Sequence, residues 1–172
     1  MALRIAFPFI GATALVVLTT PAIADDCAPV NTALMTVAKT PYSETITTTD
    51  SAGKPVTSHM VQTATTKYIE RNGKWTSLPV SSADLVDTLN EQIKTGKMTC
   101  TRVGADSVNG QAAVVYMVHR ENEGNVSDAK LWISARNRQL KAEITASGKH
   151  FVTMSDYDHV QAPAGATPLR GK

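Results

Sequence analysis

Cysteine is scarce in this 172-residue chain: there are two, Cys27 and Cys100, and they lie far apart. With no CxxC pair, and no histidine at ligand spacing beside either thiol, the common redox and zinc motifs are excluded. An excess of charge of one sign is also lacking, with 17 Lys and Arg against 15 Asp and Glu. A phosphate-backbone partner wants basic residues clustered on one face, so no nucleic-acid partner is expected. Aromatic residues make up 5% of the chain. The four histidines, His59, His119, His150 and His159, are dispersed and belong to no nucleophile or zinc motif, so each reads as a surface or interstrand residue. No catalytic residue, metal or cofactor is expected, and the chain reads as non-enzymatic.

What is present begins with an address. Arg4 supplies a positive start, "IAFPFIGATALVVL" is an apolar run too short to span a bilayer comfortably, and "AIA" places small residues where a signal peptidase reads. Residues 1–24 are therefore expected to be a cleaved signal peptide, and the mature chain a bacterial periplasmic or secreted protein. No later run could form a membrane-spanning helix. Asp25 and Asp26 occupy the places before Cys27 where lipidation needs small uncharged residues. In an oxidising compartment an even pair of cysteines is read first as a disulfide. A Cys27–Cys100 bridge would close a loop of about 70 residues and stabilise the fold by roughly 4 kcal/mol.

Along the mature chain, Val30, Ala33, Leu34, Val37 and Ala38 form one apolar stripe of a short helix that Pro41 stops. Threonine-rich, β-branched sequence follows, predicting three antiparallel strands over about 42–49, 56–71 and 74–78, with Asn72 and Gly73 as a hairpin turn. "SSADLVDTLNEQIKTGK" predicts a second helix: Ser81 or Ser82 as N-cap, Asp84 and Asp87 in the first turn, Lys94 near the end and Gly96 as its stop. Its expected buried side is Leu85, Val86, Leu89 and Ile93. A run of hairpins follows, one turning at Asn109 and Gly110. "QAAVVYMVHR" is apolar on both faces and predicts a central strand. "LKAEITA" alternates, with Leu140, Ala142 and Ile144 on one face and Lys141 and Glu143 on the other. The fold class expected is α+β: a single large twisted antiparallel sheet of about 8 strands, curled into a half-barrel and packed on two helices. One domain over 25–160 and an irregular tail over 161–172 complete the organisation.

"NGKW" closing a hairpin, "VGADSVNGQAAVVYMV" leading into a long strand, "LWIS" followed by "LKAE", and the closing "VQAP" resemble the LolA-like superfamily of periplasmic half-barrels. The resemblance covers nearly the whole mature chain. It implies a concave sheet face partly plugged by helices, able in some members to take up acyl chains. Two departures stand beside it. The early strands "YSETITTT" and "VTSHMVQTATTKYI" are rich in threonine, and no arginine falls in them before Arg71.

Met60, Met98, Met117 and Met154 fall one to a strand, together with Tyr68, Tyr116, Trp132 and Phe151. One reading is a deformable apolar wall for a hydrophobic ligand, with Met60, Tyr68, Tyr116, Met117, Trp132 and Phe151 as its residues. The other is ordinary core beneath two helices. Asp156, Asp158 and His159 crowd oxygen and imidazole ligands at one place, and read as a solvated strand end rather than a cation site. Two partner classes stay open: a lipid or other hydrophobic small molecule in the half-barrel, and an envelope protein meeting a sheet edge or the loop "ENEGNVSD".

Overall fold

The computed structural model describes residues 27–50, 52–122 and 124–169, so the expected signal peptide lies outside the described residues. Helix α1 (Cys27–Lys39) leads into strands β1 (Tyr42–Thr49), β2 (Pro55–Gln62), β3 (Lys67–Arg71) and β4 (Lys74–Leu78). Helix α2 (Ser82–Thr95) follows. Then come β5 (Lys97–Val108), β6 (Gln111–Asn122), β7 (Asn125–Ser134), β8 (Gln139–Ala146), β9 (Lys149–Asp156) and the two-residue β10 (Thr167–Pro168). All ten strands form one sheet in the order β10-β4-β3-β2-β1-β9-β8-β7-β6-β5. Every pairing is antiparallel except β10 against β4.

Ten strands rather than eight is a correction with local causes. The expected strand over 56–71 breaks at Thr63–Thr66, where Thr63 Oγ1 accepts from the Thr66 amide and donates to the Thr66 carbonyl. Threonine offers the backbone a turn in place of the ladder, and the run splits into β2 and β3. Within the tail, Thr167 and Pro168 pair with β4 and cover that edge. The β6 strand is not central; it lies second from the β5 edge, with α1 against its inner face.

The expected turns and caps form for the expected reasons. Asn72 and Gly73 (φ 52° and 73°) and Asn109 and Gly110 (φ 51° and 80°) take left-handed conformations that suit two-residue hairpins. Ser81 caps α2, receiving the Asp84 amide at 3.1 Å while the Asp84 carboxylate receives the Ser81 amide at 3.0 Å. At the other end a Cβ on Gly96 would stand 2.8 Å from the Gln92 carbonyl, so the close approach excludes a side chain there.

The core lies between α1 and the β5–β8 half of the sheet. Cys27, Val30 and Ala33 of α1 pack with Cys100, Tyr116, Val118, Leu131, Ile133 and Ala142. The Cys27–Cys100 disulfide ties the first residue of α1 to β5. A second cluster, Val108, Ala113, Val115, Trp132 and Leu140, lies on the opposite face. Leu140 belongs there because the β7–β8 register shifts at Trp132/Ile133, which breaks the clean alternation expected of "LKAEITA".

Candidate functional site: the uncovered part of the concave face

Helix α2 joins the top of β4 to the bottom of β5, two strands that do not pair with each other. Its start is held by the Ser82 amide on the Ala64 carbonyl. Its end is held by Arg120 of β6, which donates to Gln92 Oε1 at 3.0 Å. The helix thus crosses the mouth of the curled sheet diagonally, packing chiefly on α1. None of its residues is buried. The stripe of Leu85, Val86, Leu89 and Ile93 is amphipathic as expected, yet only half-buried.

The inner face of the other sheet half follows from the register. Thr48 stands between Val56 and Phe151, Ile46 between Ser58 and Thr153, Glu44 between Met60 and Ser155, and Tyr42 opposite Gln62. Because Thr153 pairs with Ala142 of the α1-covered core, all these residues face the concave side. At the lower end, away from the start of α2, a cavity of about 560 Å³ opens against Ile46, Val56, Ser58, Ile69 and Arg71. Ile46 and Ile69 are half-buried and Val56 is 45% exposed. A second, mostly apolar cavity of about 360 Å³ lies beside Pro29 at the start of α1, against Ala105, Ala112, Val114, Tyr116 and Ile133.

Deeper on the face the chemistry changes. Burial raises the Glu44 carboxyl above its ordinary value, opposed by the hydroxyls of Thr153 and Ser155 and by the positive Lys67. Burial also pushes Tyr42 up strongly and Tyr157 to about 12, with the Glu44 charge adding to both. Gln62 is 1% exposed, and its Nε2 donates to the carbonyls of Thr63 and Val80, which fixes the amide orientation. Its Oε1 accepts nothing. Thr153, 6% exposed, stands close enough to favour ionised Glu44, yet its Oγ1 makes no well-formed hydrogen bond.

The six residues expected as a ligand wall are not brought together. Met60, Tyr116 and Phe151 face the concave side, Tyr116 beneath α1. Tyr68, Met117 and Trp132 project from the convex face, so they cannot line the same cavity. Residue type picked out side chains able to serve; strand parity decides which side they serve, and three of the six have the wrong parity. Met117 is 45% exposed, while Trp132 is 3% exposed and donates through Nε1 to Asp106 at 2.9 Å. Sequence reasoning missed Glu44, Gln62 and Thr153. The available signal was one carboxylate inside an otherwise uncharged strand, "YSETITTT".

The other ionisable groups settle on the surface. Asp156 accepts the amides of Asp158 and His159 and pairs with the His159 ring at 3.0 Å, a closed local turn. Among the described residues no group of three His, Cys, Asp or Glu could hold a metal ion. His119 lies between Asp128 (2.8 Å) and Glu121 (3.4 Å), which raise its pKa. No described helix is long and apolar enough to cross a membrane.

No family model and no curated protein sequence matches the chain. Among solved structures it is similar to LprF from Mycobacterium bovis, at 14% identity and a TM-score of 0.46 over 80% of this chain and 95% of that one. It is likewise similar to the Mycobacterium tuberculosis lipoprotein LppX, at 10% identity and a TM-score of 0.47 over 78% and 96% of the two chains. A LolA superfamily protein from Nitrosomonas europaea matches at 8% identity and a TM-score of 0.24 over 78% and 92%.

Proposed function

We propose that this is a non-enzymatic binding protein that holds a lipid or other hydrophobic small molecule on the concave face of its sheet, in the periplasm or outside the cell after signal cleavage. The observation that carries the reading is the apolar surface left uncovered beside the cavity of about 560 Å³ on the concave face, where Ile46 and Ile69 are half-buried and Val56 is exposed. Leu85, Val86, Leu89 and Ile93 of α2 are likewise only half-buried. Apolar area left in water is unfavourable by about 25 cal/mol per Å², so an apolar ligand that covered it would be bound by the same effect that folds proteins. The wall residues drawn from the expected set are Met60 and Phe151, with Tyr116 at the second cavity.

The rival reading, an envelope protein-interaction module with a filled core, needs that stripe buried. It also needs an inviting sheet edge. The long β5 edge is instead interrupted by a bulge at Arg102/Gly104 and carries Lys97 and Arg102, devices that discourage strand addition.

The test is a native mass spectrum of the protein exported to a bacterial periplasm and purified without detergent. The expected spectrum shows the mass of residues 25–172 less two hydrogens, with an adduct that organic solvent extracts. A bare chain that also leaves an apolar dye dark would reject the binding reading.

A further inference from the structure

The cavity of about 560 Å³ on the concave face is apolar along its strands and cationic at its outer end. Ile69 pairs with Met60 on one side and Thr76 on the other, and Arg71, two residues later, shares its face. Arg71 lines the cavity together with Ile46, Val56, Ser58 and Ile69. Its cross-strand partner is Lys74, so two cations stand opposite each other on one side of the Asn72–Gly73 hairpin, an arrangement that repels. Both are exposed, and neither makes an ion pair among the described residues. The carboxylates close in sequence are engaged elsewhere. Glu70 has the opposite parity: its Oε1 accepts the Gly73 amide at 2.9 Å, and its Oε2 lies 4.0 Å from His59 Nε2. Asp50, in the β1–β2 loop at the same end of the sheet, folds back to accept the amides of Ala52 and Lys54.

We propose that Arg71, with Lys74 opposite it, takes the anionic head group of a single-chain amphipath, a carboxylate or a phosphate, whose alkyl chain lies along Val56, Ile46 and Ile69. This rests on the hydrophobic-ligand reading and adds the charge of the head group and the end of the cavity that receives it. The guanidinium offers a planar fork of N–H donors that matches the paired oxygens of either anion, and an anion there relieves the repulsion between the two cations. The volume falls within the range of about 300–1,000 Å³ usual for small-molecule sites. The inner end of the face offers no comparable place: its cation, Lys67, acts on the buried Glu44 carboxyl, which would repel an incoming anion.

The experiment is displacement of an apolar fluorescent dye from the disulfide-bonded protein at pH 7.5 by decanoate, by decyl phosphate and by 1-decanol. The readout is the half-displacing concentration of each anion divided by that of decanol, compared between wild type and variants, so that differences in partition between the probes cancel. In Arg71→Met, which keeps an apolar stem and removes the charge, the ratio for at least one anion should rise threefold or more. It should rise further in Arg71→Met/Lys74→Met, while decanol is unchanged. The anion whose ratio rises more identifies the head group. Added salt should weaken that anion against wild type and leave its displacement from the double variant unaffected. Ratios for both anions that stay the same in the folded double variant would overturn the head-group site and leave the binding reading intact. Failure of all three probes to displace dye from wild type would remove the binding reading and the head-group site with it.

Discussion

Trp132 Nε1 donates to Asp106 Oδ2 at 2.9 Å, and the ammonium groups of Lys130 and Lys141 lie 4.7 and 4.3 Å from the indole centroid. The hydrogen bond joins β7 to the edge strand β5 across β6, on the convex face. The lysines close over the ring, which explains how a tryptophan can be almost wholly buried on a face that packs against no helix. Asp106 answers in kind, its carboxyl held below the ordinary value by the indole donor and then by the Ser107 amide.

From this placement, Trp132 is a structural residue. Trp132→Ala should lower stability by about 3–5 kcal/mol, as truncation of a buried tryptophan does. Met117→Ala, on the same face but 45% exposed, should change it by less than about 0.5 kcal/mol. Urea denaturation checks both, and dye affinity of Met117→Ala should equal that of wild type. Should Trp132→Ala not fold, Trp132→Phe serves, with a smaller loss in the same direction.

The disulfide pins α1, whose Val30 and Ala33 are the most buried residues of the helical layer. The Cys27→Ala/Cys100→Ala pair should lose about 2–5 kcal/mol, read as a fall in the urea midpoint. Wild type treated with reductant should reproduce the same midpoint.

Folding and binding should separate on α2. Ser81→Ala removes the cap and should cost about 1 kcal/mol without altering dye affinity. Leu89→Ser removes a half-exposed apolar side chain, and should cost less than burial of a leucine is worth while weakening the dye at least tenfold. Thermal melts and dye titrations of the two variants give the comparison.

Glu44 gives stability a pH dependence whose direction is fixed. Its carboxyl is raised by burial, so the folded state keeps the proton to higher pH than the unfolded chain does. The contribution is fully present below the ordinary value of 4.5 and is lost as pH rises through the folded value. Wild type should therefore lose stability relative to Glu44→Gln on titration upward from pH 4.5, and urea midpoints at intervals of pH record it. A constant difference between the two proteins would mean that Glu44 is not buried in solution.

What the sequence made legible is what local chemistry dictates. The capping box of Ser81 and Asp84, the Asn-Gly turns, the apolar stripe of α1 and the cysteine pair each depend on neighbours in the chain or on a compartment, and all appear. The Thr63–Thr66 turn is made by hydroxyls of a residue type that also favours strands, so the sequence pattern alone does not separate β2 from β3. The candidate wall failed on parity: Met60 and Phe151 fall on one side of the sheet and Met117 and Trp132 on the other, and only the register of long-range pairing assigns those sides. The setting of Glu44 depends on Thr153 and Ser155, far along the chain, which no local pattern brings to it.

The most direct test of the account is photolabelling with an alkyl diazirine alcohol, followed by peptide mapping of the labelled residues. The account predicts labels on the inward residues of β1 to β3, Ile46, Val56 and Ile69, and on the Leu85–Ile93 stripe of α2, all suppressed by excess decanol. Labels concentrated on convex-face residues such as Met117, or a pattern that excess decanol does not reduce, would contradict it.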